Sequence, residues 1–459
     1  MIDRRHFLGS AAASAALAAG PALAREPRPD WHALARDVRA EMAWAWAEYR
    51  QYAWGQDEIR PVSGTGQSFL IPGQTVGLSI VEALDTLWLM GLDAELEDGV
   101  RWIKSSLRFD LNGDAQVFEA TIRLVGGLLS GHLATGEAKL LELAHDLASR
   151  MMPAFDTPTG MPMRFVNLHT GKTRDPLSFP AEIGGGMAPE LVTLSKLTGE
   201  KRFGEAAIRA MLALYARRST IGLLADTIDV TTGAWTTRRA TIGPPTDSYF
   251  EYLWDTWTLT GDKRLRDAYR VCTAAVLARL ADRTSGDLWF ANVDFETGEK
   301  LDLRQSELSA FYPGLLAEGG DHKAGVAAMR GWVKAQERWP VLPEAFDPGD
   351  WSIRAKTNAL RPELADSAFT LWLHDRDEQW RHVTRAHFLA MKRMNKARHG
   401  YSGLTDVTTP GSFDDACPGY WWSEQMKYYW LIFSDCPRFD YRRNYLSTEG
   451  NVLKGLKRK

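Results

Sequence analysis

The chain has 459 residues, 45% hydrophobic and 25% charged, with a net charge of −3. That balance excludes a surface built for nucleic acid or for an anionic membrane, and the composition is ordinary for a globular protein. Only three cysteines occur, Cys272, Cys417 and Cys436, which excludes a disulfide framework and fits no zinc or thiol-nucleophile spacing; a Cys417–Cys436 bridge stays open.

Residues 1–24 read as a signal peptide. Arg4-Arg5-His6-Phe7-Leu8 is a twin-arginine pattern, and an Ala-rich apolar run leads to the small-residue cleavage site Ala22-Leu23-Ala24. The mature chain is expected to begin near Arg25 and to work in the periplasm or as a secreted protein. No later stretch approaches the roughly 20 continuous apolar residues that span a bilayer, so no membrane attachment is expected after cleavage.

A Trp-rich first helix is expected from Trp31 to about Trp54. After it a motif recurs: an apolar helix ends, a Gly-Asp/Glu turn follows, and an amphipathic helix starts. The clearest copies are Thr135-Gly136-Glu137, Thr198-Gly199-Glu200 and Thr260-Gly261-Asp262. Weaker ones lie at Gly91-Leu92-Asp93, Gly319-Gly320-Asp321, Asp375-Arg376-Asp377 and Phe433-Ser434-Asp435. A repeated hairpin that cannot bury its own apolar face must stack on its neighbours. With no composition break, residues 25–459 read as one all-α domain, seven helical hairpins closed into an (αα)7 barrel with apolar inner and amphipathic outer helices. The long segments Phe155–Glu182, Thr227–Asp247 and Trp339–Glu363 are expected to line a site or form short hairpins.

Several acids sit where packing alone would not place them. In Phe118-Glu119-Ala120-Thr121-Ile122-Arg123 the acid and base are four apart on a helix that continues into Gly126-Gly127-Leu128-Leu129, apolar nearly all round, so the pair is expected to be buried. Asp247 precedes an aromatic helix start, where an N-cap is the default role. Glu424 lies within Tyr420-Trp421-Trp422-Ser423-Glu424-Gln425-Met426-Lys427-Tyr428-Tyr429-Trp430, and Asp85 within Leu84-Asp85-Thr86-Leu87-Trp88-Leu89-Met90; a carboxylate in either place costs several kcal/mol unless something pairs with it. In Leu360-Arg361-Pro362-Glu363, proline suits the first helical position and the helix dipole is expected to hold Glu363 ionised, as a general base requires. An acidic pocket floor of this kind needs a cation or a polyol to compensate it.

This ordered set resembles the class I α-mannosidases, glycoside hydrolase family 47. The resemblance runs through Leu84–Leu92, Phe118–Ser130, Asp247–Leu253, Phe311-Tyr312-Pro313-Gly314, Leu342-Pro343-Glu344, Leu360–Glu363, Ser423-Glu424 and Thr448-Glu449. It implies a barrel plugged at one end by a C-terminal β-hairpin, a bound Ca²⁺, and calcium-dependent hydrolysis of terminal α-1,2-linked mannose with inversion by a monomer. By position it implies Glu363 as base, Glu119 as acid, through a water or directly, and Asp247 as a third catalytic carboxylate that is the alternative acid. Thr448 matches the calcium ligand, with Asp85, Glu344, Asp366, Glu424 and Glu449 holding its waters. Arg123, Glu307, Phe311, Arg361, Tyr420, Glu424 and Glu449 match positions around the sugar. Inversion requires an acid and a base roughly 6.5–9.5 Å apart, which different hairpins of a barrel can supply.

Four positions depart from the family pattern: Glu307 stands where a sugar-contacting His is usual, Pro245 where an Arg is usual, Asp366 for Glu, and Gly450-Asn451 for Ala-His. None removes a catalytic acid. The alternative is a catalytically weak mannose-glycan recognition protein on the same fold; a polysaccharide lyase on a related barrel is disfavoured by the acidic ring.

Overall fold

The computed structural model describes residues 29–456, so the expected signal peptide lies outside the described residues. Within them fourteen helices of seven or more residues follow in order: α1 Trp31–Tyr52, α2 Leu78–Met90, α3 Asp93–Ser106, α4 Gly126–Thr135, α5 Ala138–Met151, α6 Ala188–Thr198, α7 Arg202–Tyr215, α8 Asp247–Thr260, α9 Lys263–Arg279, α10 Tyr312–Glu318, α11 His322–Arg338, α12 Glu363–Asp375, α13 Glu378–Met394 and α14 Met426–Phe433. The even-numbered helices form an inner ring and the odd-numbered ones an outer ring. Composition explains the sorting. Inner α2 buries every residue except Trp88, whereas outer α5 buries only the stripe Leu140, Leu143, Ala144, Leu147, Ala148 and Met151.

The recurring turn works as one device. At Gly136 and Gly261 the inner helix closes in the left-handed conformation that glycine adopts without strain. The acid that follows then caps the outer helix, Glu137 accepting from the Lys139 N–H and Asp262 from the Arg264 N–H. The sixth turn runs the same way with Arg376 at φ 59°.

The seventh turn, Phe433-Ser434-Asp435, starts no helix. The chain runs on irregularly to the C-terminal hairpin, and the outer partner of α14 is α1, from the other end of the chain. The face of α1 bearing Ala35, Val38, Met42, Ala45, Trp46 and Tyr49 covers α14, with Trp46 edge-on to Trp422 at 5.9 Å and Trp31 stacked on Phe433 at 5.8 Å. Six hairpins are thus consecutive, and the seventh closes the ring by joining the termini.

The short turns lie at one end of the barrel. At the other, the outer-to-inner connections carry small antiparallel sheets, among them Asp114–Gln116 with Phe165–Asn167 and Thr173–Arg174, and Gln305–Ser306 with Ala345–Asp347 and Ser352–Ala355. The expected loop hairpins are therefore present, gathered where the inner helices begin. A hairpin, Tyr445–Leu446 paired with Val452–Leu453, enters the barrel and presents its turn to the inner helices. Cys417 and Cys436 are separate thiols. They flank the π-helical segment Trp421–Gln425 and α14, about 13 helical residues or roughly 20 Å, well beyond the ~7 Å a disulfide permits.

Candidate active site

Because the inner helices start at the sheet-bearing end, their first turns face one cavity of about 1150 Å³, its open mouth included. Two inner helices enter through π-helical turns, Ala120–Val125 before α4 and Trp421–Gln425 before α14. Such turns re-aim side chains and recur at functional sites; here they carry Arg123 and Glu424, both in the cavity wall.

Eight carboxylates line the cavity, Asp247, Glu251, Asp255, Glu318, Glu363, Asp366, Glu424 and Glu449, against two guanidiniums, Arg123 and Arg361. Both guanidiniums are committed. Arg123 donates through Nε to Glu119 at 2.7 Å and through one terminal nitrogen to Glu82 at 2.9 Å and Glu449 at 2.5 Å. Arg361 donates to Glu344 at 3.1 Å. Tyr420 lies under both, its ring 5.6 Å from Arg123 and 5.3 Å from Arg361, and its hydroxyl donates to the Ala359 carbonyl at 2.6 Å. Among the described residues, Asp247, Glu251, Glu363, Asp366 and Glu424 form no ion pair.

The consequence is a set of carboxyl groups that hold their protons to unusually high pH. Burial raises Asp247 to about 6, Glu363 to about 7 and Asp366 to about 8, with like charges nearby adding to the last two and Arg361 partly opposing the first two. Burial also pushes Glu251 and Glu424 up, aided by Asp366 and Asp255 for the first and by Glu449 and Glu363 for the second. Oε2 of Glu363 is buried without a hydrogen-bond partner. The expectation that the helix start holds Glu363 ionised is therefore corrected. Helix α12 begins at Glu363 with Pro362 as its cap, and burial outweighs the dipole.

The hairpin turn reaches this acidic wall. Thr448 Oγ1 donates to Glu251 Oε2 at 3.0 Å, and the Thr448 N–H approaches the Tyr252 hydroxyl at 3.4 Å. A hydroxyl has one proton and two lone pairs. With the proton given to Glu251, the lone pairs are available to a cation. No three His, Cys, Asp or Glu side chains among the described residues converge as metal ligands, so a cation here would take few protein oxygens and mostly water. That suits calcium, which accepts six to eight oxygens in flexible geometry.

Of the residues expected from sequence, Asp247, Glu363, Arg123, Arg361, Phe311, Tyr420, Asp366, Glu424, Thr448 and Glu449 meet at the cavity. Four do not line it. Glu119 is turned onto Arg123. Asp85 is ion-paired with Lys427 at 2.8 Å and accepts the Val452 N–H at 2.6 Å, so it grips the hairpin instead of any water in the cavity. Glu344 is occupied by Arg361 and the Ala359 N–H. Glu307 is buried to 1% exposure and offers the sugar no surface, its Oε2 meeting only Asn358 at 3.4 Å. Conversely, Glu251 and Asp255 were missed. Their spacing was the available signal, since Asp247, Glu251 and Asp255 recur every fourth residue on one aromatic helix and so share a face.

The profile of Glycosyl hydrolase family 47 matches residues 41–455. Alpha-mannosidase I MNS4 of Arabidopsis thaliana is 34% identical over 94% of this chain and 71% of its own length. Mannosyl-oligosaccharide 1,2-alpha-mannosidase MNS1 of the same plant is 30% identical over 91% of this chain and 78% of its own. In three dimensions the alpha-1,2-mannosidase from Trichoderma reesei superposes with a TM-score of 0.84 over 92% of this chain and 99% of that one, at 21% identity.

Proposed function

The chain belongs to glycosyl hydrolase family 47, and from that premise we propose that it is a calcium-dependent, inverting exo-α-1,2-mannosidase. At the coarser level it is a glycoside hydrolase of the α-mannosidase type. One observation carries the finer reading: Glu363, a buried carboxylate on the cavity wall with one oxygen unpartnered, lies within electrostatic reach of a second, Asp247, from another inner helix.

In this reading Glu363 takes the proton of the attacking water. Its elevated affinity for that proton, near pH 7, suits a general base at ordinary pH. Asp247 gives its proton to the leaving oxygen: it lines the cavity and burial raises its affinity for that proton, and the productive form is the minority one of the pair, with Asp247 protonated and Glu363 ionised. Glu119, which does not line the cavity, acts only through a water or by holding Arg123. Arg123 and Arg361, fixed by Glu82, Glu449 and Glu344, present donors to sugar hydroxyls, and Phe311 and Tyr420 give the ring an apolar floor. Thr448 would hold calcium through its hydroxyl and carbonyl oxygens, with Glu251, Asp366, Glu424 and Glu449 orienting the bound waters. When bound, the ion offsets the acidic wall and raises the acidity of the attacking water.

The test is to incubate the protein with α-1,2-mannobiose and Ca²⁺ and to follow the released mannose by NMR. β-Mannose appearing first supports inversion; α-mannose first, or no release, overturns the reading. We further propose that the chain works as a monomer, because a single chain completes the cavity, and outside the cytoplasm, on the strength of Arg4-Arg5 and Ala22-Leu23-Ala24. Processing after Ala24 in the exported protein is the check.

A further inference from the structure

Every residue of the turn from 448 to 452 is tied to the inner ring. Thr448 is held by Glu251 and Tyr252, and Glu449 by Arg123. The Asn451 amide donates to the Ile122 carbonyl at 2.8 Å. Gly450 and Val452 are held by the pair Asp85–Lys427: Lys427 Nζ donates to the Gly450 carbonyl, and Asp85 Oδ2 accepts the Val452 N–H at 2.6 Å. Lys427 is fully buried, Asp85 is 1% exposed, and neither reaches the cavity.

A buried ion pair is a poor source of net stability, because desolvating both charges offsets their attraction, and apolar residues of similar size do as well or better. Its value here lies in what it holds. An amine between two acceptors and a carboxylate between two donors fix the backbone on both sides of Asn451, and so the place where Thr448 stands. We propose that Asp85 and Lys427 are positioning residues for the cation site: they set Thr448 and thereby the affinity for calcium, without touching the ion, its waters or the sugar. This rests on the calcium reading above.

Outer partners of metal ligands typically govern affinity by ~10–100-fold. The experiment is direct Ca²⁺ titration by calorimetry, far below the melting temperature, on the native protein, on Asp85→Asn/Lys427→Met and on Asp85→Asn. The double variant removes both charges and so avoids a stranded ion. The single variant keeps an acceptor for the Val452 N–H but leaves the Lys427 amine without its carboxylate, so the two variants perturb the fold in different ways. The expected result is calcium affinity at least tenfold weaker in the double variant and weakened measurably in the single one, with a smaller rise in Tm on adding Ca²⁺. Affinity within about twofold of native in whichever variants fold cooperatively would overturn the proposal. If the native protein itself binds no Ca²⁺, the calcium reading falls and takes this inference with it; native binding with unchanged variants sinks the inference alone.

Discussion

The turn at 447–452 has two sides made of similar residues and arranged in opposite ways. On the Asp85 side, one carboxylate meets one amine, and each also holds one backbone partner. On the Thr448 side, Asp247, Glu251, Glu363, Asp366 and Glu424 crowd a cavity whose two guanidiniums are already engaged. Both sides desolvate charge, yet only the first neutralises it. A fold can carry uncompensated acids only by leaving them protonated or by recruiting a cation, so the unbalanced side is where chemistry belongs and the balanced side is scaffolding.

The largest effect should come from the unbalanced side. Glu363→Gln keeps the shape and removes the base, so kcat should fall by about a thousandfold or more while sugar binding changes little. Single-turnover rates and a separate binding measurement check this, and near-native turnover would mean the base is elsewhere. Asp247→Asn should follow, and it should cost more than Glu119→Gln, because Asp247 faces the cavity and Glu119 does not. The reverse order would return the proton to Glu119 and sharpen the comparison around Arg123. If both groups act as assigned, kcat/KM should be bell-shaped, with its flanks set near 6 and 7 by the pair jointly.

A smaller effect tests the missing countercharge through stability. In the metal-free protein Asp247, Glu363 and Asp366 hold protons to about 6, 7 and 8, above their ordinary 3.8 or 4.5. A carboxyl whose affinity for its proton rises on folding stabilises the fold below its ordinary pKa, and that stability is lost as pH climbs through the folded value. Chelated protein should therefore lose Tm, by about 5 °C or more, between roughly pH 5.5 and 8. Calcium should recover much of the loss at the upper end by binding the ionised cluster. A chelated Tm that is flat or rises over that window would show the cavity acids balanced after all.

The barrel and most of the cavity were legible in the sequence because each depends on local pattern. The Gly-acid turn encodes a left-handed cap and an N-cap together, and Thr448, Glu363 and Asp247 sit in short motifs. What escaped depends on the third dimension. Nothing near Phe433 says that α1 closes the ring. Asp85 and Glu424 look alike in sequence, each an acid in an apolar, aromatic-bearing inner segment. They differ only because Lys427, three residues after Glu424, reaches back to Asp85. Glu307 stands where the family pattern puts a His at the sugar, yet its neighbours bury it. The dipole at Glu363 was visible and real, but burial, which sequence does not quantify, decided its protonation.

The smallest expected effect concerns the cavity's mouth, where the two sides of the comparison matter least. Pro245 offers no donor or charge where relatives of this type are expected to hold an arginine fork, and its carbonyl is already used by the Ala181 N–H at 3.2 Å. Glu307 cannot replace a sugar-contacting His, because it is buried and its carboxylate meets the Asn358 amide. The arginine expected to read sugars beyond the first is thus absent, as is the His contact, while Arg123, Arg361, Phe311 and Tyr420 remain in the wall. Recognition should then be concentrated on the terminal α-1,2-mannose, with branch context adding little. Comparing kcat/KM for α-1,2-mannobiose and for isomeric branched high-mannose glycans measures this. Preference for one branch should stay below about a hundredfold, or roughly 2.7 kcal/mol, and a larger one would mean that other loop residues at the mouth, such as Arg239 and Arg304, read the branch in place of the lost arginine.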